Sequence, residues 1–239
     1  MTALAHLNPH QVGFPPADDA LRDPNGLLAV GGALTPQWLL CAYSNGIFPW
    51  FDDDDSHIMW WSPDPRAVLK LDEFKVSRSL RKRLRNGGMT VTFDQSFSKV
   101  VDGCSAPRAD ANGTWITPAM RNAYCQLHQA GFAHSVEVWQ NTELVGGLYG
   151  LSLGRMFFGE SMYSRVRDAS KVALYCLVMQ LRRWNFDLID CQIMNDHLAS
   201  LGATSLPRAT FLRVLAATLR QPTRTGPWVY EANPFPGTS

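Results

Sequence analysis

From residue 66 onward, apolar and polar positions fall into a regular order of strand-like and helix-like stretches, whereas residues 1–62 show no such order. In the later part, 67–71 and 89–93 read as strands, with a short helix over 77–85 between them. A second helix is expected over 118–130, closed by Gly131. Residues 134–139 alternate Val136 and Val138 with Ser135 and Glu137. Asn141 and Thr142 then offer a turn into 143–149, and Gly154 a turn into a strand over 155–160, which together make an antiparallel meander. Val172, Tyr175, Cys176 and Met179 form an inward helical stripe within 168–184, ended by Asn185. A short apolar strand follows over 188–194. Asp196 caps a turn of helix to Leu201, and Pro207 opens a last helix to Leu219, before a Pro- and Thr-rich tail that reads as coil.

The earlier part is dense in Pro, Gly, Asp and Trp, with one expected helix over 36–43. Thr35 can cap it and Pro36 suits its first turn. The change of pattern puts a boundary at residues 62–65, dividing the chain into a small N-terminal domain, 1–62, and an α+β domain, 63–239. In that larger domain the succession of meander, helix and one more strand resembles the second half of a GNAT (acetyltransferase-like) core, a likeness of fold that carries no chemistry.

With 239 residues, 46% of them apolar and 18% charged, the chain can bury a sizeable core. Its 22 Lys and Arg against 21 Asp and Glu leave a net charge of +1, so a polyanion must be met locally and not by the surface as a whole. The first residues lack the charged and apolar regions of a signal peptide, and no run reaches the ~18 apolar residues of a transmembrane helix. A cytoplasmic enzyme or binding protein, without membrane association, is the expectation. Cys41, Cys104, Cys125, Cys176 and Cys191 are scattered and show no ligand spacing, and the six histidines form no HExxH or paired motif. The cysteines read as small core residues of a reducing compartment, and no metal site is indicated.

Several segments could carry chemistry. On a wheel of the 77–85 helix, Val76, Leu80 and Leu84 form one stripe and Arg78, Arg81, Lys82 and Arg85 gather opposite. That face is either a phosphate-contacting surface or an ordinary solvated one. Of eight tryptophans, Trp50, Trp60, Trp61 and Trp115 could stack on unpaired bases, although core packing explains Trp60 and Trp61 better. In MFFGESMYSR, Phe157, Phe158, Met162 and Tyr163 surround a single carboxylate, Glu160, as a pocket for an apolar side chain beside a cation would. In LIDCQIMNDH, simple alternation sends Asp190 and Gln192 to one face of a strand and Ile189 to the other. Such a pair is either a site or a structural hydrogen-bond pair. No GxxxxGKS/T or GxSxG occurs, and the glycines of GGLYGLSLG open no helix, so nucleotide loops are not indicated.

Taken together, the stretches PNGLLAVGG (24–32), YSNGIFPWF (43–51), WWSPDPRAVL (60–69), GTWIT (113–117), AHSVEVW (133–139), GESMYSR (159–165), ASK (169–171) and LIDCQIMNDHLASLGA (188–203) closely resemble the bacterial leucyl/phenylalanyl-tRNA–protein transferase family, in order and over nearly the whole chain. The resemblance implies an aminoacyltransferase that needs no cofactor. It would move Leu or Phe, and less readily Met, from Leu-tRNA or Phe-tRNA to the α-amino group of proteins beginning with Arg or Lys, marking them for degradation. It also implies a small N-terminal domain packed on a GNAT-like domain with the active site between them. Position by position, Trp50 and Trp115 would hold the terminal adenosine, and Leu148, Phe157, Met162 and Ile189 would line the donor side-chain pocket. Glu160 would meet the acceptor amine, Asp190 and Gln192 would sit at the reacting centre, and Arg78, Lys82 and Arg85 would track acceptor-stem phosphates. Two positions depart from the family's habit and bear on donor preference: Leu148, where Met is common, and Leu181, where some members carry an aromatic.

The donor implied is an activated ester, so positioning can supply much of the rate. An amide is a very poor base, so Gln192 is read as an orienting acceptor, with Asp190 either anchoring it or taking the proton. Two other readings compete. An acetyl-CoA N-acetyltransferase would need a pyrophosphate loop that is not found, and a non-catalytic RNA-binding module would leave Glu160, Asp190 and Gln192 without purpose. A monomer is expected.

Overall fold

A computed structural model describes residues 4–106 and 116–231. The N-terminal part, which reads as irregular beyond one helix, contains a four-stranded sheet. It is built from β1 (Ala5–Leu7), β2 (Leu27–Gly31), β3 (Phe48–Pro49) and β4 (Met59–Trp61), in the order β1-β2-β4-β3. Strands of two to five residues are too short for alternation to declare itself, and so the pattern misses them. The expected helix is present as α1 (Pro36–Ser44), with Thr35 Oγ1 accepting from Trp38 N–H. Its inner face is Trp38, Leu39, Ala42 and Tyr43.

The second sheet has seven strands: β5 (Arg66–Lys70), β6 (Thr90–Phe93), β7 (Ala133–Gln140), β8 (Glu143–Leu153), β9 (Met156–Ser164), β10 (Leu188–Gln192) and β11 (Thr204–Leu206). Its order is β11-β5-β10-β9-β8-β7-β6. Strands β6 to β9 form the antiparallel meander, while β9 and β10 run parallel, joined by helix α5 (Ala169–Arg183). The other helices are α2 (Arg78–Asn86), α3 (Phe97–Ser105), α4 (Pro118–Gln129), α6 (Asp196–Ser200) and α7 (Arg208–Thr218). Helix α3 escapes the sequence pattern, since its Gly103 and polar residues blur the stripe. Gly103 is there because a Cβ would meet the Tyr163 ring at 2.3 Å.

Alternation along the strands sorts side chains into two cores. Phe158, Leu188 and Val68 face one that also holds Trp38, Tyr43, Trp60, Phe97, Tyr124 and Phe211, so the N-terminal part and the large sheet share one continuous apolar interior. Phe157, Ile189 and Leu69 face the other, beneath α2 and α5. The tail beyond α7 has no regular structure up to residue 231, yet it is anchored. Trp228 is buried, stacks on His134 at 3.7 Å and donates its backbone N–H to Asp94 Oδ2.

The glycine-rich run on β8 serves close strand packing. A Cβ at Gly150 would lie 2.1 Å from the Phe158 carbonyl oxygen, which the sheet holds in place. Gly150→Ala is therefore expected to destabilise the protein by about 1–3 kcal/mol. An unchanged urea midpoint would mean that β8 and β9 part at no cost.

Candidate active site

The parallel pairing of β9 and β10 lasts only three residues, ending at Asp190 opposite Phe158, after which the strands separate. A cavity of about 1240 Å³ opens there. Leu69, Leu148, Phe157, Leu174, Leu177 and Ile189 make its apolar floor, Met162 and Cys191 its sides, and Glu160 and Gln192 its polar wall. Trp50, 40% exposed, and Ile193, 45% exposed, stand at the rim. Trp61 reinforces Trp50, donating its indole N–H to the Trp50 carbonyl with the rings 5.7 Å apart. Trp115 lies outside the described residues.

Both polar residues of the wall owe their aim to β-bulges. On β9, Gly159 pairs with Gly150 and Ser161 with Tyr149, leaving Glu160 as the extra residue. On β10, Asp190 pairs with Val68 and Gln192 with Ala67, leaving Cys191 extra and Gln192 at φ +57. A bulge breaks strict alternation and re-aims the side chains beside it. The expectation that Asp190 and Gln192 share a face is corrected accordingly. Asp190 turns away from the cavity and is sealed in the first core, while Ile189 and Gln192 both reach the cavity. The residue that breaks alternation is Gln192, and Ile189 obeys it.

Asp190 is held by Arg66, which is also 0% exposed. Arg66 Nε donates to Asp190 Oδ1 at 2.8 Å and Nη2 to Oδ2 at 2.7 Å, while Nη1 donates to the Gly46 carbonyl at 3.0 Å. The guanidinium lies between the Phe48 and Phe211 rings, 4.8 and 4.7 Å from their centres. Asp190 Oδ1 also accepts the backbone N–H of Gln192 at 3.0 Å, a local turn that fixes the bulge.

Glu160 reaches across to the N-terminal part. Tyr43 of α1 donates to Oε1 at 2.6 Å and Tyr124 of α4 to Oε2 at 2.7 Å, and the two hydroxyls are 2.6 Å apart. Gln192 Nε2 donates to Oε1 at 3.4 Å. Burial raises the Glu160 carboxyl, the two tyrosine hydrogen bonds and the Arg66 charge pull it back, and the Asp190 charge raises it, leaving it at about 7.

Tyr43, Tyr124 and Arg66 are missed by sequence reasoning. Tyr43 and Tyr124 sit on apolar helix faces and read as core, and Arg66 is an ordinary residue until Asp190 is placed beside it. On α2, Leu80 and Leu84 are buried, while Arg78, Arg81, Lys82 and Arg85 are exposed. The chain also packs Lys75, just ahead of α2, against the end of α6, whose Asp196, His197 and Leu198 line the cavity. Among the described residues, no three His, Cys, Asp or Glu side chains gather as a metal site requires, and no helix is long and apolar enough to cross a membrane.

An apolar floor, a wall with one carboxylate and one amide, and an aromatic rim thus meet in a single cavity. Comparison with known proteins gives the class of enzyme. The family model for leucyl/phenylalanyl-tRNA protein transferase matches residues 68–216, and the model for that family's N-terminal domain matches 32–64. The leucyl/phenylalanyl-tRNA–protein transferase of Stutzerimonas stutzeri is 57% identical over 92% of this chain and 96% of its own length. That of Pseudomonas fluorescens is 56% identical over 95% and 99%. A solved GCN5-related N-acetyltransferase from Kribbella flavida is similar at 10% identity over 71% of this chain and 59% of its own, with a TM-score of 0.33. The chain belongs to the leucyl/phenylalanyl-tRNA–protein transferase family, and it is an aminoacyltransferase.

Proposed function

We propose that this enzyme moves leucine or phenylalanine, and less readily methionine, from aminoacyl-tRNA to the α-amino group of cytoplasmic proteins that begin with Arg or Lys, and that the new N-terminus marks them for degradation. The observation that carries the reading is the junction of an apolar floor with the Glu160–Gln192 wall in one cavity, which fits an apolar donor side chain beside a cationic acceptor. Trp50, at the rim, supports the terminal adenosine, a role the family resemblance gives to Trp115 as well. Leu148, Phe157, Met162 and Ile189 enclose the donor side chain, and Leu148 in place of a more flexible Met stiffens that wall. A pocket of this kind separates side chains that differ by a methylene by only about 1–3 kcal/mol, so some methionine transfer follows.

The donor ester is already activated, and the acceptor α-amine, of ordinary pKa about 7.7–8.0, is partly neutral near pH 7. Catalysis is then chiefly placement of the amine nitrogen against the carbonyl carbon. Glu160 meets the cationic amine, and the Gln192 carbonyl accepts one of its N–H groups. Asp190 acts from behind, holding the bulge that presents Gln192. Transfer of labelled leucine from Leu-tRNA to a peptide beginning with Arg, and not to the same peptide beginning with Ala, is the test. Equal labelling of both peptides, or acetylation from acetyl-CoA alone, would overturn the reading.

Arg78, Lys82 and Arg85 track the acceptor-stem phosphates. Changing each to Ala should weaken aminoacyl-tRNA binding alike for Leu and Phe donors, and lessen the log–log salt slope by about 0.7–0.9 for every phosphate that is no longer neutralised. A salt slope unchanged in the triple variant would make α2 a solvated face and nothing more.

A further inference from the structure

We infer that Glu160, closed into a ring of hydroxyls with Tyr43 and Tyr124, accepts the proton that the acceptor amine sheds, and that the two tyrosines are positioning residues that set its readiness to do so. The inference rests on the transfer reading of this cavity and deepens it.

Proton counting carries the argument. Three oxygen–oxygen contacts of 2.6, 2.6 and 2.7 Å link Tyr43, Tyr124 and Glu160. Each is of hydrogen-bond length and needs one proton. The two hydroxyls bring only two, so with an ionised carboxylate one contact sets lone pair against lone pair. A third proton, on Glu160, completes the ring: carboxyl to Tyr124, Tyr124 to Tyr43, and Tyr43 back to the carboxyl's other oxygen. When that proton leaves, both hydroxyls turn to donate to the carboxylate, and these two charge-assisted bonds outweigh the unsupported Tyr43–Tyr124 contact, so the ring can hold one proton and the tyrosines favour its release. Neither tyrosine can take that proton itself, since burial and the neighbouring Glu160 push both phenols well above their usual range.

The two residues that the family resemblance puts at the reacting centre do not take the proton themselves. Asp190 is sealed from the cavity, with both oxygens engaged by Arg66 and one also by the Gln192 backbone. Gln192 offers an amide, which does not take a proton near neutrality. The charged and titratable groups facing Glu160 are Tyr43 from α1, Tyr124 from α4, Tyr149 from β8, Asp190 from β10 and Arg66 from β5. Their balance leaves the carboxyl able to exchange a proton near pH 7.

In the reaction, ionised Glu160 takes one proton from the acceptor's ammonium group. The freed nitrogen pair forms the C–N bond to the ester carbonyl carbon, and the C–O bond to the ribose breaks with its electron pair on oxygen. The second proton lost by nitrogen ends on that oxygen. Glu160 later returns its proton to water, so the products are an amide, a free ribose hydroxyl and one proton.

Two measurements on the full chain test this. In isotope-edited infrared spectra of protein labelled at the glutamate side-chain carboxyl, a protonated-carboxyl band should disappear with a midpoint of about pH 7, and should be absent from Glu160→Gln. In Tyr124→Phe and Tyr43→Phe, which each lose a hydrogen bond to the charged form, the midpoint should lie about one pH unit higher. Leucine transfer is then followed against pH, each variant's rate being divided by wild type's so that the peptide's own ionisation cancels. Both tyrosine variants should be several-fold slow near pH 7 and recover above pH 8, whereas Glu160→Gln should stay about 10²- to 10⁴-fold slow throughout. A Glu160 midpoint near that of free glutamate, or variant-to-wild-type ratios that do not change with pH, overturns the inference while leaving the transferase reading intact. Wild-type enzyme that transfers nothing at any pH removes the reading, and the inference with it.

Discussion

Arg66→Met is expected to lower the stability of the protein by about 3–5 kcal/mol, the usual consequence of leaving one half of a buried ion pair behind. Arg66 and Asp190 are both 0% exposed, and no water-facing alternative is open to the carboxylate once the guanidinium is gone. What remains to Asp190 is the single backbone N–H of Gln192. The guanidinium also fills the space between Phe48 and Phe211, and Met occupies that slot without supplying charge. For a chain of this length each kcal/mol moves the melting temperature by about 2–4 °C, so a fall of roughly 6–20 °C should be seen. Arg66→Lys should fall between, since a point charge cannot match the two-pronged contact. The double variant Arg66→Met, Asp190→Leu should regain most of the loss, because replacing both partners by apolar groups is often neutral. It should nevertheless transfer slowly, because the carboxylate that pins the Gln192 bulge is gone. If Arg66→Met costs less than about 1 kcal/mol, the pair is hydrated and the account of the bulge fails.

Local signals reveal where the regular elements lie. Thr35 caps α1 just ahead of a proline, Gly131 closes α4, and the alternation around Val136 and Val138 marks β7. These features act over a few residues, and a few residues suffice to read them. The site depends on contacts that span the chain. Tyr43 and Tyr124 are 81 positions apart and Arg66 and Asp190 124 apart, and no periodicity links them. Glu160 stands out as the lone carboxylate in an apolar segment, and Gln192 as an amide in an apolar strand. Their geometry is beyond the reach of the sequence because each depends on a one-residue bulge, and a bulge reverses every inference drawn from alternation past it. The tail shows the same limit, since nothing near Trp228 announces that its partner is His134.

Gln192→Ala is expected to lower turnover by about 10²-fold with little change in donor affinity, the effect of losing the placement of a reacting group. The side chain spans the polar wall, with one end of its amide on Glu160 at 3.4 Å and the other free to accept from the acceptor amine. The apolar floor that holds the donor side chain is untouched by the change. Why the position holds an amide is tested by Gln192→Glu, which keeps shape and removes neutrality. Two carboxyl groups at that distance cannot both ionise readily, so they titrate as a pair with one value pushed up. Near pH 7 the pair keeps a proton, and Glu160 is less able to take another from the amine. The variant should therefore be slow at neutral pH and gain on wild type as pH rises, whereas Gln192→Ala should remain slow by a constant factor. Should Gln192→Ala instead raise the Michaelis constant for Leu-tRNA and spare turnover, Gln192 holds the donor, and the amine is oriented by Glu160 alone.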